Sequence, residues 1–145
     1  MRKILLFTFA FVLSAIFCSA QKLSLTDVNS PAVTVLVDIK VNPKFKSETK
    51  SFVGELVAQT MKEPNIISYN YYLSPDEEKI LIVEQYKSLS AFQDHGKTLF
   101  AGPLGDRFKS HFTVNSITMA GGSLPDSVQN FRIMKTIGGF SPTCP

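Results

Sequence analysis

Residues 79–98, KILIVEQYKSLSAFQDHGKT, decide the fold because a strand pattern changes within them to a helix pattern. Residues 80–87 form an apolar, β-branched run that is typical of a strand, and the carboxylate of Glu84 interrupts it. A serine then suits the N-cap of a helix that carries His95 on its inner face. These two titratable side chains raise the question of whether they perform chemistry or only hold the fold together.

A strand and a helix are predicted upstream of this stretch. Residues 32–41, AVTVLVDIKV, alternate as a strand, and Asn42 and Pro43 suit the N-cap and the first position of a helix. Apolar residues then recur at steps of three and four, which predicts one buried stripe. The stripe consists of Phe45, Phe52, Val53, Leu56, Val57 and Met61. The helix is expected to end at residues 63–65, Glu-Pro-Asn, because a residue before proline avoids helical angles.

The remaining elements complete a common α+β order. Residues 66–73, IISYNYYL, read as a strand that forms a hairpin with residues 80–87. Residues 102–110 favour a short helix, and residues 111–120 favour a last strand. The order β-α-β-β-α-β predicts a ferredoxin-like α+β fold, with one antiparallel sheet and both main helices on one face.

The second face of this sheet must also be covered. Apolar residues lie on both faces of the predicted strands, so one layer of helices leaves part of them exposed. The simplest cover is the same sheet of a second copy, and we therefore predict a homodimer.

The first twenty residues predict export. Residues 1–20 have a basic start, an apolar run and small residues at their end, which is typical of a secretory signal peptide. We expect cleavage after Ala20 and a periplasmic or secreted protein; an alternative is a lipoprotein acylated at Cys18. The apolar run is short for a membrane span, and no longer run follows it.

The chain after the signal peptide is predicted to hold a single domain. Residues 21–31 read as a leader segment, residues 32–122 as the ferredoxin-like domain, and residues 123–145 as a C-terminal tail or arm. Within that tail, residues 130–137 are predicted as a fifth strand or an arm, and residues 138–145 are expected to be loose.

Charge and metal-binding residues exclude several kinds of partner. Without Arg2 and Lys3, the 15 basic residues fall to 13, against 12 acidic residues, and they do not cluster; nucleic acid is therefore not expected as a partner. His95 and His111 lie 16 residues apart, Cys144 lies near the end, and His111 is expected to begin the last strand and to face solvent. These residues form no recognisable metal set, and no metal or cofactor is predicted.

Four short motifs follow one another between about Val33 and Met119: Glu63-Pro64-Asn65, Tyr69 to Tyr72, Glu84-Gln85-Tyr86, and Ala91 to His95. In this order they resemble the antibiotic biosynthesis monooxygenase (ABM) family. The resemblance implies a dimeric α+β barrel with a pocket between each sheet and its helices. Some members of this family oxidise phenols or quinols with O₂ and without metal, flavin or haem. Haem-degrading relatives use a Trp and a strand-one Asn; this chain has no Trp and has Asp38 there, which disfavours haem binding.

Cofactor-free oxygenation of a small aromatic molecule by O₂ needs a base, hydrogen-bond donors and an apolar pocket. His95 is predicted to be the base, because an imidazole titrates near neutral pH, and Glu84 is predicted to orient it. The predicted substrate-binding residues are Tyr69, Tyr71, Tyr72, Tyr86, Phe52, Phe92 and Phe108. A structural role for His95 and Glu84 stays open, as does a non-catalytic exported dimer that binds a small aromatic or apolar ligand.

Overall fold

The computed structural model describes residues 22–25 and 29–143, with side chains from 29 to 139. The predicted signal peptide, including Cys18, and Cys144 lie outside the described residues. The helices are a 3₁₀ helix at Pro43–Glu48, α1 at Thr49–Thr60, α2 at Leu89–Phe100 and α3 at Pro103–His111. The strands are β1 (Lys22–Leu25), β2 (Val33–Val41), β3 (Ile66–Leu73), β4 (Lys79–Tyr86), β5 (Phe112–Gly121), β6 (Arg132–Lys135) and β7 (Phe140–Thr143).

The main sheet confirms the predicted ferredoxin-like α+β fold. Its strand order is β3-β4-β2-β5-β6, and the first four strands pair antiparallel. The three helices cover one face, which we call the inner face. The central strand β2 shows the reason: Val33, Val35, Val37, Ile39 and Val41 are all buried, while the residues between them are half-buried or exposed. Period-two alternation of this kind turns one side of every strand toward the helices.

The start of the first predicted helix differs from the prediction. Asn42 caps it, since its Oδ1 accepts a hydrogen bond from the backbone N–H of Lys44 at 3.1 Å. The first six residues form a 3₁₀ helix, and the α-helix begins only at Thr49. Met61 lies just past the last helical residue and is 81% exposed, so its predicted place in the buried stripe is wrong.

His111 also differs from the prediction. It is the last residue of α3, not the first residue of a strand, and its side chain is buried. The imidazole stacks on the ring of Phe45 with centroids 4.2 Å apart, and its Nδ1 lies 2.9 Å from the carbonyl oxygen of Arg107. A carbonyl only accepts, so Nδ1 carries the proton. The side chain of His111 thus packs α3 against the 3₁₀ helix.

The two ends of the described chain carry more structure than predicted. Residues 130–137 contain β6, which pairs parallel with β5, so the strand alternative for this part of the tail holds. The expected leader contains β1 and the expected loose end contains β7, and these two strands pair antiparallel in a separate sheet. Each strand is too short to be recognised alone, and the pairing supplies the backbone partners that neither has by itself.

The sheet face opposite the helices, which we call the outer face, is partly apolar. Leu81, Tyr72 and Met134 are 41%, 56% and 53% exposed on it, and Leu36 and Val83 are half-buried. Within the described part of the chain, no helix is long and apolar enough to cross a membrane.

Candidate functional site

An apolar cavity lies between the inner face and helices α2 and α3. Its volume is about 100 Å³. Its lining is apolar apart from an imidazole, a carboxyl group and one tyrosine. The lining residues are Val37, Tyr69, Ile82, Glu84, Phe92, His95, Gly96, Leu99, Phe100, Phe108, Val114 and Ile117. The predicted pair, His95 and Glu84, thus reaches one cavity from a helix and from a strand.

His95 is held by a carboxylate that the sequence analysis did not assign to the site. Its Nδ1 lies 3.1 Å from both carboxylate oxygens of Glu63, which follows α1. A carboxylate accepts the hydrogen bond, so Nδ1 carries the proton and the basic lone pair lies on Nε2. No hydrogen bond to Nε2 occurs among the described residues. The imidazole is therefore oriented and keeps a free basic nitrogen.

Glu84 does not orient His95, which corrects the predicted role. It lies opposite Tyr69 on β3 and Val35 on β2, and its Oε2 accepts a hydrogen bond from the Tyr86 hydroxyl at 2.8 Å. The side chain is buried, and burial raises its pKa to about 7, against a smaller opposing effect of the Tyr86 hydrogen bond. Near neutral pH, Glu84 can therefore either give or take a proton.

The signal for Glu63 is present in the sequence but points elsewhere. The Glu-Pro-Asn stretch predicts the end of a helix and forms part of a family motif. Glu63 and His95 are 32 residues apart, and only the path from α1 into β3 brings them together. Alternation along β4 favours Glu84 instead, because Glu84 lies on the same face of the strand as Ile82 and Tyr86.

Three of the four tyrosines surround this pair. Tyr69 lies in the cavity wall, and its hydroxyl is 2.7 Å from that of Tyr71. The Tyr69 and Tyr86 rings lie 5.3 and 5.7 Å from the His95 ring, centroid to centroid. Burial raises the pKa of Tyr69, Tyr71 and Tyr86 well above the usual value of a phenol. These hydroxyls therefore stay protonated and can donate hydrogen bonds.

Four predicted substrate-binding residues do not line the cavity. Tyr86 is absent from its lining, and Tyr71 lines a different hollow. Tyr72 points to the outer face, because it has the opposite parity from Tyr69 and Tyr71 on β3. Phe52 is fully buried in the core, with its ring 4.6 Å from that of His111. The other predicted aromatic wall residues, Phe92 and Phe108, do line the cavity.

A second, more polar hollow lies on the far side of the Glu63–His95 pair. Its volume is about 170 Å³, and Glu63 and Tyr69 both line it. Glu63 is itself 19% exposed. The Glu63–His95 pair thus lies between the apolar cavity and this more polar hollow.

The described residues form no recognisable metal site. Among the side chains that the structure describes, no three His, Cys, Asp or Glu residues converge to hold a metal ion.

The family follows from a sequence comparison. A model of the family described as "Antibiotic biosynthesis monooxygenase" (ABM) matches residues 32–110. The chain belongs to the antibiotic biosynthesis monooxygenase family. The matched part begins just before β2 and ends within α3, so it contains His95, Glu63 and Glu84. A comparison with curated proteins finds no match.

Solved structures share the fold of this ABM protein. MupZ from Pseudomonas fluorescens superimposes with a TM-score of 0.62 at 12% identity, over 76% of this chain and 93% of that chain. SnoaB, a cofactor-independent oxygenase from Streptomyces nogalater, gives a TM-score of 0.52 at 14% identity, over 61% and 90%. At these identities the likeness establishes the fold alone.

Proposed function

We propose that this ABM protein is a cofactor-independent monooxygenase that oxidises a quinol or small phenol with O₂. The observation that carries the proposal is His95 in an apolar cavity, with Nδ1 held by Glu63 and Nε2 free. Family membership supports this class of reaction.

The reaction begins with removal of a phenolic proton. The neutral imidazole of His95 accepts that proton at Nε2, and the Glu63 carboxylate stabilises the resulting imidazolium. The apolar walls keep the phenolate poorly solvated, which makes it a better electron donor. A hydroxyl such as that of Tyr69 holds the oxyanion by a hydrogen bond.

The substrate supplies all the electrons. The phenolate passes one electron to O₂, and the two radicals combine to form a C–O bond and a peroxide on the ring. Cleavage of the O–O bond, with loss of the ring C–H proton, leaves a new C=O group and releases water. For a hydroquinone, O₂ accepts four electrons: two convert the quinol to a quinone, and two convert a C–H to a C–OH. No external reductant is required.

Glu84 is suited to the second half of this sequence. Oxygen leaves the peroxide as hydroxide unless a proton reaches it, and Glu84 has a pKa of about 7 at the cavity wall. We assign it the role of proton donor to the departing oxygen, distinct from the basic role of His95.

The proposal also includes the assembly and location of the protein. A second copy that packs sheet on sheet would cover Leu81, Tyr72 and Met134 on the outer face. The sequence of residues 1–20 supports export to the periplasm or the medium.

The test is oxygen uptake by residues 21–145 with a panel of hydroquinones and phenols, in the presence of a chelator. We expect uptake above the spontaneous rate, reduced by about 10² to 10⁴-fold in His95→Ala and partly restored by added imidazole. Equal turnover by His95→Ala would contradict the mechanism. Tight binding of a phenol without oxygen uptake would instead support the alternative, a non-catalytic dimer that holds a small aromatic ligand.

A further inference from the structure

Gly96 occupies a position where helix stability favours a larger residue. It lies within α2, four residues before the helix ends, and it lines the cavity beside His95. Glycine destabilises a helix interior relative to alanine, because its backbone loses more freedom on folding. A Cβ atom built on Gly96 meets nothing within 4 Å, so packing does not require glycine there.

At Gly105, in contrast, the packing of two helices does require glycine. A Cβ on Gly105 of α3 would lie 2.6 Å from the carbonyl oxygen of Leu99, so the close approach of α3 to α2 excludes any side chain. Gly96 has no such constraint, although it lines the cavity.

We propose that Gly96 determines the ligand specificity of the cavity, by leaving room beside His95 for a single-ring dihydric phenol of the hydroquinone class. This inference rests on the proposed function for the identity of the ligand. An apolar cavity of about 150 Å³ holds a benzene ring, and this cavity of about 100 Å³ is of the size that one ring needs after a small adjustment. The two titratable groups of the cavity, His95 and Glu84, would each form a hydrogen bond with one of the two hydroxyls of such a ligand.

The experiment compares Gly96→Ala with Gly54→Ala. Gly54 is a matched control, because it lies within α1, is exposed, and would have nothing within 4 Å of an added Cβ atom. Binding of hydroquinone and of 1,4-naphthohydroquinone is measured by calorimetry without oxygen and with ascorbate, and thermal unfolding is measured on the same samples.

Both alanine variants should melt a few degrees higher than the wild type, by about 4 °C. Gly96→Ala should bind hydroquinone at least about 10-fold more weakly, and Gly54→Ala should bind it as the wild type does. Unchanged hydroquinone binding by Gly96→Ala, or a lower melting temperature, would overturn the role of Gly96. Preference of the wild type for the two-ring quinol would overturn the substrate class.

These outcomes are separate from those of the proposed function. Binding without oxygen does not depend on turnover. Suppose that hydroquinone binds, binds more weakly to Gly96→Ala, and is not oxidised when oxygen is admitted. That result supports the role of Gly96 and contradicts the proposed monooxygenase activity.

Discussion

The residue that sets the properties of His95 is Glu63. A carboxylate at 3.1 Å from Nδ1 holds the proton on that nitrogen, and in the proposed reaction it faces the imidazolium formed when Nε2 takes a proton. Sequence reasoning identifies the histidine from its place on the inner face of a helix. It does not identify the carboxylate, because strand alternation says which face a residue takes but not which of several acidic groups reaches a given ring.

Glu63→Gln tests this assignment. Glutamine keeps an acceptor for Nδ1–H but removes the negative charge, so we expect kcat/KM to fall by about 10²-fold. Nitrogen NMR of the His95 ring should show a proton on Nδ1 in the wild type and a mixture of tautomers in the variant. Glu55→Gln is the control, since Glu55 pairs with Arg107 away from the cavity and its loss should leave kcat/KM unchanged. A wild-type spectrum with the proton on Nε2 would contradict the assignment.

Glu84 makes stability depend on pH. Its pKa is about 7 in the folded protein and 4.5 in the reference state, so the folded protein holds this proton more tightly. The contribution is fully present below pH 4.5 and is lost as pH rises through about 7, an effect of about 3 kcal/mol.

Chemical denaturation between pH 4.5 and 8 measures this loss. We expect the wild type to lose about 3 kcal/mol more than Glu84→Gln over that range, because glutamine can still accept the Tyr86 hydrogen bond but does not ionise. The other acidic groups are common to both proteins and cancel in the comparison. Parallel pH profiles for the two proteins would show that Glu84 ionises in the folded state as it does in water.

At the scale of elements, sequence patterns locate the helices and strands better than their junctions. The alternation of residues 33–41 is sufficient to locate β2, and a serine cap is sufficient to locate the start of α2. Ser88 is that cap, since it accepts a hydrogen bond from the Ala91 backbone N–H at 3.2 Å. The division of the first helix into 3₁₀ and α parts, and the extension of α3 through His111, depend on contacts between elements. Local sequence does not encode those contacts.

The contact of α3 with the end of α2 gives a prediction at this scale. Gly105→Ala places a methyl group 2.6 Å from the Leu99 carbonyl oxygen, so the helices must separate, at a cost of about 1–3 kcal/mol in the free energy of unfolding. Because Leu99 and Phe108 line the cavity, ligand binding should weaken as well. Gly138→Ala is the control, since Gly138 is exposed outside the helices and a Cβ there meets nothing within 4 Å. Equal denaturation midpoints for the two variants would mean that α3 does not pack as closely as described.

For the whole molecule, the apolar residues of the outer face argue for a homodimer. Leu81→Glu should lower the dimer affinity by at least about 100-fold, because each subunit would bury a charge in the interface. Sedimentation over a range of protein concentrations measures the dissociation constant of the dimer. Met61→Glu is the control, since Met61 is 81% exposed at the end of α1 and not on the sheet. A wild-type monomer, or a Leu81→Glu dimer of full affinity, would contradict the sheet-on-sheet assembly.

The whole-molecule topology follows from the sequence, and the pairing of its ends does not. Six strand and helix patterns in the order β-α-β-β-α-β suffice for the ferredoxin-like core, since the connections permit few other arrangements. The β1–β7 pair joins residues that are far apart in the chain, such as Lys22 and Thr143, and both segments are short. Nothing within either segment predicts that partner.

The most direct measurement is the fate of labelled oxygen. The protein is supplied with ¹⁸O₂ and a hydroquinone, and the product is reduced at once so that its carbonyl oxygens do not exchange with water. We predict one ¹⁸O atom in the ring product and the other in water, at a rate that falls in both His95→Ala and Glu63→Gln. An unlabelled quinone formed together with hydrogen peroxide would show an oxidase and contradict the proposed monooxygenase.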